Sequence, residues 1–176
     1  MVRRKDPASE SDVEVVKTSA GITLLPGRWE VGIRPAAGYC AVGFEPADSA
    51  GRPDGWNEIL LRPGSQTIAR FVLSLAPATI GGTVKNAVGD PVAGVPVFVE
   101  PYDLDPRHRI EPVRPVATDA AGHYQVSGLA AGVYRLLASF DYRMPEPAQM
   151  EAANAKTIRV EDGGHSTLDL DEFVIH

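Results

Sequence analysis

The chain has 176 residues, of which 44% are hydrophobic and 23% charged, and it contains 17 glycines and 15 prolines. The formal net charge of −6, with no basic cluster beyond Arg3-Arg4-Lys5, excludes an electrostatic surface for nucleic acid. So many turn-forming residues argue against a helical bundle, and no apolar run approaches the roughly 20 residues that cross a bilayer.

Residues 1–11 combine charge, proline and serine with almost no apolar content. Such a segment cannot offset the entropy of ordering, so its composition predicts a disordered arm. The arm begins with basic residues, as a signal peptide does, but residues 6–12 are rich in acidic side chains where an apolar stretch is required. We therefore expect no signal peptide and no membrane span, and the compartment stays open.

Residues 12–77 show the alternation of apolar with polar or small residues that is typical of strands with one buried face. Turn-forming segments at 26–27, 35–38, 50–55 and 63–64 separate these stretches. Cys40, the single cysteine, excludes an intrachain disulfide and is expected to be a small buried side chain of one strand. The alternating positions are Val13 and Val15, then Trp29, Val31 and Ile33, then Ile59 and Leu61, then Phe71, Leu73 and Leu75.

Residues 78–176 predict a second β unit with seven short strands in an aligned antiparallel sandwich. Residues 146–155, which follow Pro145, fit either one helical turn or a loop. The predicted strands are 79–84, 95–100, 113–118, 123–127, 133–140, 156–161 and 166–173.

The two units echo each other in sequence, which indicates a tandem arrangement. Residues 18–21 (TSAG) match 118–122 (TDAAG), residues 25–31 match 129–136, and residues 64–68 (GSQTI) match 164–168 (GHSTL). In this alignment the first unit has counterparts for strands three to seven of the second and none for strands one and two. We therefore expect a partial sandwich with an open edge, belonging to a longer array and able to self-associate.

Four motifs of the second unit point to a known family. They are residues 80–84 (IGGTV), 89–97 (GDPVAGVPV), 118–124 (TDAAGHY) and 128–134 (GLAAGVY). Together they resemble the carboxypeptidase regulatory-like domain, a prealbumin-like, immunoglobulin-like β sandwich akin to the collagen-adhesin B-type repeats. The resemblance implies an all-β fold and a non-catalytic module of a larger bacterial protein of the envelope or the extracellular space.

Seven residues are expected to shape turns and the core of this fold. Glycines permit tight reversals of the chain, and an aromatic side chain two residues after a turn glycine can bury its ring while its polar edge caps nearby backbone. The seven are Gly89, Pro91, Gly122, Gly132, Tyr134, Gly27 and Trp29.

Chemistry known from related scaffolds finds little support in the sequence, so we expect no enzyme, no metal and no cofactor. The four histidines lack the His-x-His pair that holds iron in the similar intradiol dioxygenases. The repeats with lysine isopeptide cross-links would join Lys85 to Asp169 or Asp171, but the promoting glutamate is replaced by Ala138, and by Ile33 in the first unit. Without that acid the lysine amine stays charged and is a poor nucleophile.

Two functions remain open at this level. The leading one is a spacer, stalk or interaction domain whose partners are a protein or the neighbouring domains of a longer chain. The alternative is a module that binds carbohydrate or peptide through exposed aromatic faces, for which the sequence offers Trp56, Tyr39 and Tyr102.

Overall fold

The computed structural model describes residues 2–4, 21–33, 35–46, 57–102 and 114–175, and these fall into two compact units. Of the described residues, the first unit contains 2–4, 21–33, 35–36, 41–46 and 57–74. The second contains 37–40, 75–102 and 114–175.

The first unit is built from two small sheets that enclose an apolar core. β1, β2 and β4 form an antiparallel sheet with β2 in the centre, while β3 pairs with β5. Val31 and Ile59 are buried from one sheet, and the rings of Phe44 and Phe71, 5.0 Å apart, pack against them from the other. The strands are β1 (Val2–Arg4), β2 (Gly27–Val31), β3 (Cys40–Pro46), β4 (Glu58–Leu61) and β5 (Ala69–Ser74).

Strand β1 lies within the segment that composition assigned to a disordered arm, and that expectation is wrong for residues 2–4. Val2 is buried in the core of the first unit, and Arg3 forms an ion pair with the buried Glu30. These contacts join residues 27 or more positions apart, so they are invisible to composition, which weighs a segment by itself. The rest of the expected arm, residues 5–11, lies outside the described residues.

The second unit is a sandwich of two sheets, which confirms the all-β fold class and the seven expected strands. One sheet has the order β11-β10-β7-β8, and the other places β6 between β9 and the pair β12 and β13. The last expected strand is divided into β12 and β13. The elements are β6 (Ala78–Lys85), β7 (Pro96–Pro101), β8 (Arg114–Ala117), β9 (His123–Leu129), β10 (Gly132–Ala138), α1 (Pro147–Ala152), β11 (Lys156–Val160), β12 (His165–Thr167) and β13 (Leu170–Asp171).

Helix α1 resolves the ambiguous segment before β11. Glu146 and Gln149 form a capping box, and Pro147 occupies the first helical position, where its missing N–H has no cost. Met150 of the helix packs against Phe98 and Leu137. The helix therefore covers the outer face of β7 and β10, the face opposite the main core.

The pairing of the first and last strands differs from the expected antiparallel pattern. β12 and β13 both run parallel to β6. Turn residues indicate the direction of consecutive strands, but they carry no information on how a first strand meets a last one. Between β12 and β13 the Leu168 carbonyl turns inward, where it accepts the Tyr124 hydroxyl at 2.6 Å. Burial and the nearby Asp169 carboxylate raise the pKa of Tyr124, so its hydroxyl remains a donor.

The registers of the two units show which strands correspond. Gly27 of β2 lies opposite Leu61 of β4, and in the second unit Gly132 of β10 lies opposite Val160 of β11. On their other sides, β2 pairs with β1 and β10 pairs with β7. Strand β1 is thus the counterpart of β7, and the expectation that the first unit lacks a counterpart of strand two is wrong.

Gly82 lets the Leu168 carbonyl come close to the backbone of β6, and its substitution tests the parallel pairing of β6 with β12 and β13. A Cβ at Gly82 would lie 2.0 Å from the Leu168 carbonyl oxygen, whereas one at the adjacent Gly81 would meet nothing nearer than 3.4 Å. We expect Gly82→Ala to destabilise the second unit by about 1–3 kcal/mol, and Gly81→Ala to stay within about 1 kcal/mol of the native chain. Hydrogen exchange of the β6 and β9 amides in urea measures both, and equal effects would contradict this close approach.

Candidate functional site

The two aromatic residues that follow turn glycines have matching hydrogen bonds. The Tyr134 hydroxyl donates to the Ala130 carbonyl at 2.9 Å, and the Trp29 indole N–H donates to the Leu25 carbonyl at 2.9 Å. Each acceptor lies four residues upstream of the ring. Tyr134 is buried in the main core of the second unit, and Trp29 packs against the core of the first.

Two of the turn residues selected from the sequence, Pro91 and Gly122, lie next to each other in the second unit. Gly122 has a φ of +76°, a conformation that favours glycine. Its Cβ position lies 2.9 Å from Pro91 Cβ and 3.0 Å from the Val84 carbonyl oxygen, so a side chain there would also clash. The glycines Gly27, Gly89 and Gly132 also have positive φ angles, of 144°, 93° and 155°.

A buried arginine organises the outer face of the second unit. Arg135 of β10 lies opposite Glu100 of β7, and its Nε and Nη2 donate to Glu100 Oε2 at 3.0 and 2.7 Å. Nη1 donates to Glu151 of α1 at 2.8 Å, and Nη2 also donates to the Pro147 carbonyl at 3.0 Å. The guanidinium lies 4.9 Å from the ring centroid of Tyr102. We call these five residues the Arg135 cluster.

The charges and hydrogen bonds of the Arg135 cluster suit it to hold helix α1 against the sheet. The Glu100 side chain is fully buried and that of Arg135 is 7% exposed, so two opposite charges compensate each other away from water. An arginine stays protonated in proteins and cannot exchange protons as an acid or base. Its remaining donors bind the first turn and a side chain of α1, so the cluster fastens the helix to the sheet.

The first unit has the same ion pair with its charges reversed. Arg3 of β1 lies opposite Glu30 of β2, and Arg3 Nε donates to Glu30 Oε2 at 2.8 Å. Glu30 follows the turn glycine of its strand by three residues, as Arg135 does in the second unit. Sequence reasoning missed both pairs because their members are 27 and 35 positions apart. An alignment of residues 2–4 with the residues of β7 would have placed Arg3 at the position that corresponds to Glu100.

Of the three aromatic residues considered for ligand binding, the structure describes two, and both are exposed. Trp56 lies outside the described residues. Tyr39 is 39% exposed, and its carbonyl oxygen is 3.8 Å from the Cβ position of Gly128 in β9. Tyr102 is 47% exposed and follows β7, with its ring next to Arg135.

Of the residues considered for an isopeptide cross-link, Asp171 forms a solvent-exposed ion pair with a different lysine. Lys85 lies opposite Asp171 in the parallel register. It is Lys156 that reaches Asp171, with its Nζ 2.9 Å from Oδ2, and these two side chains are 46% and 79% exposed. The position of the promoting acid is the buried Ala138.

Within the parts of the chain that the structure describes, no group of three or more histidine, cysteine, aspartate or glutamate residues is placed to hold a metal ion. His123 Nδ1 lies 3.5 Å from the Asp119 carboxylate, and both side chains are exposed. The backbone N–H of His123 holds the pKa of Asp119 below its usual value, as expected of a turn residue. His108 and Glu111, which have the His-x-x-Glu spacing of a zinc ligand pair, lie outside the described residues. No described helix is long and apolar enough to cross a membrane.

A family comparison agrees with this architecture. The model of the carboxypeptidase regulatory-like domain matches residues 79–171, more than half of the chain. The chain therefore belongs to the carboxypeptidase regulatory-like domain family, as its four motifs indicated. No curated protein sequence matches it.

Solved structures with a similar fold include proteins of different roles. A variant of the major pilin subunit of Bacillus cereus has 16% identity and a TM-score of 0.39, over 54% of this chain and 28% of that chain. The minor pilin of Streptococcus agalactiae has 13% identity and a TM-score of 0.38, over 68% and 60%. Chlorocatechol 1,2-dioxygenase from Pseudomonas putida has 14% identity and a TM-score of 0.35, over 55% and 60%. The chain spans less than two thirds of each, and similarity of this extent assigns it no activity.

The anchoring role of the Arg135 cluster predicts a specific pattern of stabilities. Arg135→Met leaves Glu100 buried without its cation, and we expect it to lower the free energy of unfolding of the second unit by about 3–5 kcal/mol. Adding Glu100→Leu should restore most of this loss, because the pair is then replaced by apolar side chains. Calorimetry of the single and double variants measures the cycle.

Lys156→Met is the matched control, because it breaks an exposed ion pair in the same unit. We expect a change of at most about 1 kcal/mol. A double variant no more stable than Arg135→Met would contradict the anchoring role.

Proposed function

We propose that this chain is a non-catalytic spacer of a longer bacterial envelope or extracellular protein, whose second unit resists a pull between its ends. The observation that carries this proposal is the parallel pairing of β6 with β12 and β13. Because these strands run in the same direction, the chain enters β6 at one end of the sheet and leaves β13 at the other.

A pulling force applied to these two ends acts on several backbone hydrogen bonds at the same time. Thr79 N donates to the Gly164 carbonyl at 2.9 Å, Leu168 N to the Gly81 carbonyl at 2.9 Å, and Glu172 N to the Lys85 carbonyl at 2.8 Å. Strands pulled along their axes in opposite directions must break such bonds at once, whereas strands peeled from one end break them singly. This arrangement suits a module that transmits force.

The residues just before β6 also support a spacer. β5 ends at Ser74 and β6 begins at Ala78, so a short segment separates them. The Ala76 carbonyl accepts the backbone N–H of Gly163 at 2.8 Å, and Ala78 is fully buried. A segment tied to the second unit in this way and restrained at Pro77 fixes the point at which a pull enters β6.

Several reactive side chains of the described residues are engaged in holding the fold. Arg135 and Glu100 anchor α1, and Tyr124 donates to the Leu168 carbonyl. Lys156 pairs with Asp171 at the surface. This use of the reactive groups supports a structural role.

Single-molecule pulling of the full chain tests the proposal. Asp169 Oδ1 accepts the Thr83 N–H at 2.8 Å and so joins the segment between β12 and β13 to β6. We expect Asp169→Ala to lower the unfolding force of the second unit. Asp162→Ala, at an exposed position in the β11–β12 turn, should leave that force unchanged. Equal forces in the native chain and the Asp169→Ala variant would contradict a role for this pairing.

Ligand binding by exposed aromatics is the second candidate, and the exposure of Tyr102 beside a buried cluster favours it. A ring held in place by a guanidinium loses little freedom when a sugar or peptide stacks on it. If the chain binds a glycan in an array, we expect Tyr102→Ala or Trp56→Ala to weaken binding about tenfold. Phe140→Ala, at an aromatic residue 56% exposed in the same unit, is the control. Unchanged affinity in both variants would exclude this use of the aromatics.

A further inference from the structure

Strand β1 is short, and among the described strands it lies at the edge of its sheet. It has three residues, and among the described strands it pairs only with β2. Its counterpart β7 lies between β10 and β8. Val2 fills the core of the first unit next to Val31 and Ile59. The edge of β2 with these residues and Glu30 forms what we call the β1 slot.

The β1 slot selects its occupant by chemistry. Glu30 is fully buried, and its carboxylate accepts the Arg3 guanidinium. An empty slot would leave that carboxylate without the cation and expose Val31, so vacancy is unfavourable. The occupant must present an apolar residue followed by a basic one, as Val2 and Arg3 do.

The reversed ion pair excludes the equivalent strand of the second unit. If β7 were placed in the β1 slot, Glu100 would face Glu30, and two buried carboxylates repel. If β1 were placed beside β10, Arg3 would face Arg135. The equivalent strand of the second unit therefore lacks the charge that the β1 slot requires at that register.

We propose that the β1 slot is a strand-acceptor site that also takes β1 from a second copy of this chain, so that two copies associate by exchanging this strand. The connection between β1 and β2 is residues 5–26, which extends to about 70 Å and is long enough to reach a neighbouring molecule. The exchanged pair makes the same contacts as the closed chain.

The balance between the closed and exchanged forms then depends on proximity. A strand tethered to its own slot by a connection of this length has an effective concentration there of about millimolar. Dilute copies keep their own strand, and copies held close together exchange it. The association is therefore weak in free solution and strengthens when copies are concentrated.

Complementary charge variants of the full chain make the exchange visible. Arg3→Glu places two carboxylates in the slot, and Glu30→Arg places two guanidinium groups there, so neither variant satisfies its own slot. In a mixture, the strand of each variant matches the slot of the other. We expect a 1:1 complex in light scattering, with at least about a hundredfold tighter association than either variant shows alone.

The doubly substituted chain, Arg3→Glu with Glu30→Arg, carries a matched pair within one molecule and is the control. It should behave as the native chain in light scattering and form no such complex with it. A mixture of the two single variants that stays monomeric would overturn the proposal.

Disulfide trapping reports exchange without relying on the stability of the charge variants. Val2 lies opposite Val31, so Val2→Cys in one copy and Val31→Cys in another meet only through an exchanged strand. Both copies carry Cys40→Ser. We expect a disulfide-linked heterodimer under mild oxidation, well above the level found when Leu60→Cys, at an exposed position of β4, replaces Val31→Cys. Equal levels in the two mixtures would also overturn the proposal.

Discussion

A buried ion pair between two adjacent strands is the interaction on which each unit depends. Desolvating an arginine and a carboxylate is unfavourable, and the loss is recovered only when the two charges meet with good geometry. In the second unit Arg135 meets this requirement and also binds α1. Loss of the ion pair would therefore release the helix, and with it Met150, which packs on Phe98. In the first unit the pair joins β1 to β2, beside the core contact of Val2.

Much of the fold could be predicted because its signals are local. Period-two alternation and glycine-rich turns located the strands of the second unit, and its four motifs together indicated the family before any geometry was known. The capping residues of α1 were also local, although composition alone did not decide between a helix and a loop. Features that join distant residues were missed: strand β1, the parallel closure of β6, and both ion pairs.

The site was less predictable than the fold, for a physical reason. The sequence shows which side chains are able to stack, bind or react, but the surroundings decide whether they are available. Glu100 reads as a polar residue on the outer face of β7, yet α1 covers that face and buries it. Lys156, which the isopeptide comparison did not consider, is the lysine that reaches Asp171.

The closure of the second unit by its first and last strands also governs how far a chain of such modules reaches. β6 spans eight residues, or about 26 Å, and the chain leaves the module at the far end of that span. Modules joined in this way add their lengths along one direction, whereas modules whose ends lay side by side would fold back and gain almost nothing. If the proposed spacer role holds, repeats of this unit would set the distance between a domain and its point of attachment by their number.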